Sequence, residues 1–343
     1  MESEILAEVV RGATIESIHR GHLIVVGGDG EIVAQIGNPE TVTFWRSSAK
    51  PFQALPFLLN GGAERFEFSE KEIALACGSH SGENVHVAAA EQMLSKGGFS
   101  ESDLQCGSHA PFDEKTLKQM IKNDVEPSPL HNNCSGKHAA MLASARHTGA
   151  DVSTYHLLEN PVQQRILELI SFVSEVPKDE IKIGIDGCAL PSFAVPIRAI
   201  ARSFASLVCS PSSFEKSLRM ACRQIVSAMM KYPEMIGGTE RLDTLIMQAA
   251  PGKLISKIGA EGVLTAAVLP NEKWKTGLGI AFKIEDGDDK RARAVVFIEL
   301  LRQLGIFDAQ TLHQFSPMPI TNRRDEKVGE IVPSFKIDPE SKL

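Results

Sequence analysis

Two apolar runs, Leu23-Ile24-Val25-Val26 and Ile32-Val33-Ala34-Gln35-Ile36, flank the pair Asp29-Gly30. Asp-Gly supplies the positive backbone angles of a tight turn, so the runs are predicted to pair as an antiparallel hairpin from His22 to Gly37. A third strand is expected through Val42-Thr43-Phe44. A chain that opens on antiparallel strands and then turns helical points to an α+β fold, not a doubly wound parallel sheet. The sequence carries no phosphate loop, no GxGxxG after a strand and no internal repeat.

With 343 residues the chain is long enough for one large domain or two lobes. No linker rich in Gly, Ser or Pro interrupts it, and its polar loops run from residue 46 to about residue 262. One integrated domain over residues 1–343 is therefore expected, with two lobes as the variant. A net charge of -7 argues against a nucleic-acid surface. No apolar run reaches membrane-spanning length, and Met1-Glu2-Ser3-Glu4 lacks the basic flank of a secretory signal. Six cysteines scattered through a chain of this size favour reduced thiols, hence a cytoplasmic protein.

The chemistry centres on Arg46-Ser47-Ser48-Ala49-Lys50-Pro51. Residues three apart share a helix face, so Ser47 and Lys50 can lie within hydrogen-bond reach. A serine needs a base to become a nucleophile, and a lysine serves when burial or a nearby cation lowers its pKa. The plain alternative is a capping serine beside a solvated lysine. Pro51 and Pro56 require the helix to start within a residue or two of Ser47 or to kink at Pro56. Two further loops feed helix starts. Cys77-Gly78-Ser79-His80-Ser81-Gly82-Glu83 precedes a helix over Val85 to Lys96, and His131-Asn132-Asn133-Cys134-Ser135-Gly136-Lys137-His138 precedes another that stops at Gly149. If the three junctions converge, they form a pocket rich in N–H donors.

The middle of the chain reads as scaffold. Asn160-Pro161 caps a helix, Ile181 to Ile185 reads as a buried strand running into Asp186-Gly187-Cys188, and Leu218, Cys222, Ile225 and Met229 mark a further helix. Gly277 to Ile284 reads as a strand, and Ala292 to Leu304 as a helix stopped by Gly305.

Taken together, the segments around Ser47, Ser79, Cys134 and Asp186 resemble the L-asparaginase II family, typified by rhizobial-type asparaginases. The resemblance spans most of the chain, including His19-Arg20-Gly21 and Gly259-Ala260-Glu261-Gly262. It implies a mixed, largely antiparallel sheet flanked by helices, similar to serine-dependent glutaminases and β-lactamases, and a homodimer. It also implies two serine–lysine tandems. Ser47 and Lys50 match the first; Ser79 matches the serine of the second and Lys257 its lysine, with Lys253 close by as the alternative. A zinc site is implied as well, matched here by Cys134, Lys137 and Cys188. Without the resemblance the two cysteines read as ordinary thiols.

The expected activity is hydrolysis of L-asparagine to L-aspartate and ammonia through a serine acyl-enzyme. Arg46 and His138 are candidates for the substrate carboxylate and Asp186 for its ammonium. Their plain alternatives are an ion pair with a surface acid, helix packing and a turn. A glutaminase or a penicillin-recognising acyl-enzyme shares the S-x-x-K element, but the Lys-Thr-Gly and Ser-Asp-Asn companions of the latter are absent. A zinc- or amino-acid-binding protein without turnover is the non-enzymatic alternative.

Overall fold

The hairpin forms around Asp29-Gly30 in the computed structural model, which describes residues 2–307 and 316–338. Gly30 takes φ +89°, and Asp29 Oδ1 accepts the Glu31 N–H at 3.1 Å. The chain divides into two compact units, each assembled from separate stretches. One gathers the residues up to Ser48, Val195–Cys209 and those from Ser256 onward; the other gathers Ala49–Ala194 and Ser210–Ile255.

The first unit is built on a sheet. Its strands are β1 (Glu4–Arg11), β2 (Thr14–Gly27), β3 (Ile32–Ile36), β7 (Leu254–Ile258), β8 (Val263–Val268), β9 (Leu278–Ile284), β10 (Met318–Thr321) and β11 (Lys327–Pro333). Their order is β10-β11-β1-β2-β9-β8-β7, with β3 added beside β2. The pairs β1/β2, β2/β3, β2/β9, β8/β9, β1/β11 and β10/β11 are all antiparallel. The expected strand β4 (Val42–Phe44) is present. β1 and the first half of β2 escape the sequence reading because polar and charged residues interrupt their apolar ones. By contrast β8 is buried along its whole length. The helix Ile197–Cys209 packs on β2, β8 and β9, and the helix Ala292–Gln303 packs on β1, β8 and β11. The fold is thus mixed α+β with a largely antiparallel sheet.

The second unit is mainly helical. Ser135–Thr148 is its central helix: Ser135 to Ala145 are buried all round, as befits a helix packed on every face. It contacts the helices Lys50–Leu59, Glu70–Ala76, Asn84–Gly97 and Pro161–Ser174. Local chemistry sets several boundaries. Asn160 Oδ1 accepts the Val162 N–H at 3.0 Å, and Gly149 closes the central helix at φ +72°. A hairpin of β5 (Lys182–Ile185) and β6 (Pro191–Pro196) completes the unit. Here the sequence reading needs correction. Ile183 is 37% and Ile185 72% exposed, so β5 is not a buried strand. It is the end strand, and β6 takes the covered position.

Candidate active site

The segment that begins the chemistry folds as a 3-10 turn, Arg46–Ala49, running into the helix Lys50–Leu59. Pro51 sits in the first helical turn, where its missing N–H costs nothing, and Pro56 lies inside the helix. Ser47 is half-buried, and its hydroxyl bonds to no described residue. Arg46 adopts φ +52°, a left-handed conformation that costs a non-glycine residue about 1–3 kcal/mol. Its guanidinium lies 4.0 Å from the Glu261 carboxylate, the ion pair that was its plain alternative.

Lys50 is fully buried. Its Nζ lies 2.5 Å from Gly78 O, 2.9 Å from Ser79 Oγ and 3.1 Å from Asn133 O. The loops before the helices Asn84–Gly97 and Ser135–Thr148 therefore do converge on the start of the Lys50 helix. Toward Lys50 they present oxygens. The amides of Gly78, Ser79, Asn133 and Cys134 are already bonded to Leu75 O, Ile236 O, His109 Nε2 and Asn132 Oδ1 respectively. The seat of the amine includes two carbonyls, the Ser79 hydroxyl and the Cys134 side chain. Burial pulls the pKa of Lys50 below the ordinary lysine value; the Cys134 sulfur resists this and the Lys137 charge adds to it.

Cys134, Lys137 and Cys188 meet in the same unit. The turn from β5 to β6 delivers Cys188: Asp186 N–H bonds Leu190 O at 2.8 Å, and Ala189 takes φ +67° to close it. Lys137 Nζ donates to Cys188 Sγ at 3.3 Å. The hydrogen bond from Cys188 draws Cys134 well below the usual thiol range, against burial and with help from Lys137 and Lys50. Cys188 is pushed up by the same bond and by burial. Burial opposes the charge on Lys137, but the two sulfurs and Asp186 hold its pKa above the ordinary value. Among the described residues no three His, Cys, Asp or Glu side chains gather as a metal site, so any metal here would need the lysine as a ligand.

The remaining expected residues fall as follows. Asp186 is half-buried in its turn, and its carboxylate accepts the Gly187 N–H at 2.7 Å. His138 is fully enclosed. Its Nδ1 accepts from the Tyr155 hydroxyl at 2.7 Å, and its Nε2 has no partner among the described residues. Burial, with Lys137 and Lys50 adding, holds His138 well below the usual histidine pKa, so it stays neutral. Lys257 is a buried residue of β7 in the first unit, with Nζ donating to Ile258 O at 2.9 Å; Lys253 precedes that strand.

Some residues near the site carry no sequence signal. His80 accepts from Gly82 N–H at Nδ1 (3.2 Å), which leaves Nε2–H to donate to Ser135 Oγ at 3.0 Å. His109 donates from Nδ1 to Ala110 O and accepts the Asn133 amide at Nε2. Tyr155, far along the chain, fixes His138. Only a three-dimensional arrangement reveals these partners.

No sequence among the curated proteins matches the chain. Among solved structures, a probable glutaminase from Bacillus subtilis is similar at 12% identity and a TM-score of 0.39, over 83% of this chain and 84% of that one. A Bacillus glutaminase is similar at 13% identity and a TM-score of 0.38, over 83% and 91%. A carbapenemase from Vibrio cholerae is similar at 13% identity and a TM-score of 0.35, over 82% and 94%. The profile of a family described as L-asparaginase II matches residues 7–333. That span takes in the Lys50 seat, the cysteine–lysine cluster and nearly all of both units, and the chain belongs to the L-asparaginase II family.

Proposed function

We propose that the protein hydrolyses the side-chain amide of L-asparagine to L-aspartate and ammonia through a serine acyl-enzyme. The observation that carries this reading is the seat of Lys50. A neutral amine has two N–H groups and one lone pair. Lys50 Nζ donates to Gly78 O, Ser79 Oγ and Asn133 O, and loss of one proton would free a lone pair to accept from the Ser79 hydroxyl. A buried amine whose pKa is drawn below the ordinary lysine value, and which is hydrogen-bonded to a serine, is suited to serve as the general base.

Ser47 is assigned the attack, because its hydroxyl has no hydrogen bond among the described residues and it lies three residues before Lys50. Its Oγ bonds to the amide carbon while its proton passes to Lys50, directly or through Ser79. The C–N bond then breaks, and that proton leaves with the ammonia. Water attacks the acyl-enzyme by the same route in reverse. Asp186 is assigned to the substrate ammonium. Arg46 and His138 are assigned to the substrate carboxylate.

Cys134, Lys137 and Cys188 are assigned to zinc. Two sulfurs and an amine already grouped are a suitable donor set once Lys137 and Cys188 give up their protons. Zinc held there would supply a positive centre for positioning an anionic group of the substrate. The protein is assigned to the cytoplasm as a homodimer. All six cysteines are unpaired, which supports a reducing compartment, and no helix among the described residues is long and apolar enough to cross a membrane.

The test is ammonia release from asparagine and, in parallel, glutamine, with the solution mass measured on the same sample. Asparagine is expected to be preferred, Ser47→Ala to abolish release and Ser79→Ala to slow it. A parent protein that releases ammonia from neither amide ends this reading.

A further inference from the structure

Ser79 owes its place to a distant stretch of chain. Its N–H bonds Ile236 O at 2.7 Å, and Ser81 Oγ donates to Gly237 O at 2.7 Å. The Glu83 carboxylate accepts from both the N–H and the hydroxyl of Thr239, each at 2.7 Å. His86 accepts the Glu83 amide at Nδ1, so its Nε2–H donates to Glu234 O at 2.9 Å. Residues 234–239 thus lie as a strap along residues 79–86.

The contact is close. A Cβ on Gly78 would meet Met235 O at 2.3 Å, and one on Gly238 would meet Ser81 Oγ at 2.4 Å and Glu83 Oε1 at 2.6 Å. Gly238 also has φ +115°, a conformation that suits glycine. Inside, the strap grips main chain next to Ser79. At its outer end Thr239 is exposed and reaches the loop through Glu83. His86 also stacks on His80, centroids 4.9 Å apart, and so presses on the residue beside Ser79.

We propose that Glu83 is a positioning residue, whose bond to Thr239 clamps the strap and thereby holds Ser79 at hydrogen-bonding distance from Lys50. The proposal rests on the acyl-enzyme reading for its kinetic consequence, but not for its structural one. Without the carboxylate the Thr239 end lifts, Ile236 O loosens on the Ser79 amide, and the Ser79–Lys50 distance spreads.

The experiment compares Glu83→Ala, Glu83→Gln and the parent by asparagine kinetics and by amide hydrogen exchange over residues 78–83. A glutamine keeps the clamp: its oxygen accepts the Thr239 N–H, and the Thr239 hydroxyl reverses to accept from its NH2. Glu83→Ala is expected to lose about tenfold to a hundredfold in kcat per folded enzyme with KM within about twofold, because a small misplacement of a reacting group has that cost. It should also exchange the Ser79 amide at least about tenfold faster. Glu83→Gln should restore both. Parent-like exchange at Ser79 in Glu83→Ala overturns the clamp. Faster exchange with an unchanged kcat leaves a stabilising contact only and overturns the positioning role. If the parent hydrolyses no amide, the catalytic reading and the positioning role fail together, while the exchange result alone decides the clamp.

Discussion

Tyr155→Phe removes a single oxygen from a fully buried ring and opens no cavity larger than that atom. The hydroxyl accepts the Gln105 N–H at 2.9 Å and donates to His138 Nδ1 at 2.7 Å. Gln105 is exposed, so its amide can turn to water, and the bond lost there is worth about 1 kcal/mol. His138 has no such recourse. Its Nε2 already lacks a partner among the described residues, and losing Tyr155 strips Nδ1 as well. A buried ring nitrogen left unsatisfied costs about 1–3 kcal/mol. The two losses sum to about 2–4 kcal/mol, or an apparent Tm lower by about 4–8 °C at about 2 °C per kcal/mol. Thermal melts of the single variant give the first number. A double-mutant cycle with His138→Leu gives the cause: once the imidazole is gone, Tyr155→Phe should cost about 1 kcal/mol or less. A cost below about 0.5 kcal/mol in the parent, or an equal cost in both backgrounds, refutes the reasoning.

Three further outcomes follow from the site. A Cβ on Gly136 would meet Leu75 Cγ at 2.5 Å and Leu75 O at 2.8 Å. Gly136→Ala should therefore gain about 1 kcal/mol of helix propensity, lose about 1–3 kcal/mol to overpacking, and lower kcat by shifting the helix that leads into Ser79, all read from melts and ammonia release. As the base, Lys50 must be neutral, so kcat/KM should rise with pH and level off below the ordinary lysine value of 10.5. Between the folded and unfolded pKa values the unfolded chain holds a proton the folded one lacks, so this group's contribution makes stability rise with pH there; Lys50→Met should flatten that slope in urea titrations and abolish turnover. Zinc uptake at Cys134, Lys137 and Cys188 should release protons from Lys137 and Cys188, giving buffer-dependent calorimetric heats and tighter binding at higher pH, while Cys134→Ser should lower the zinc found by mass spectrometry.

What could be read from the letters was mostly local. Asp29-Gly30 dictates its own turn, Asn160-Pro161 its own helix start, and Gly149 its own stop, because each acts on residues within a turn of itself. The burial of β5 was misread because an apolar run looks the same at the centre of a sheet and at its end. In the same way the S-x-x-K spacing singles out Lys50 but not its bond to the hydroxyl of Ser79, which lies 29 residues along the chain. Cys134 and Cys188 come together only because the turn at Asp186–Leu190 aims one of them inward, and no spacing rule encodes that aim.

The deeper reason is the material of the seat. Two of the groups on Lys50 are main-chain carbonyls, from Gly78 and Asn133. Every residue type carries a carbonyl, so nothing at those positions marks them as part of a site. Their direction depends on where the neighbouring amides are tied: Ser79 N–H to Ile236 O, Asn133 N–H to His109 Nε2. Side chains that look peripheral, such as His109 and Glu83, thus act by steering backbone. His109→Ala should accordingly weaken the Asn133 carbonyl's hold on Lys50 although the histidine touches neither the lysine nor either serine. The same substitution at a half-buried histidine such as His147, whose imidazole bonds Asn60 O and meets the Phe66 ring edge-on, should leave turnover unchanged.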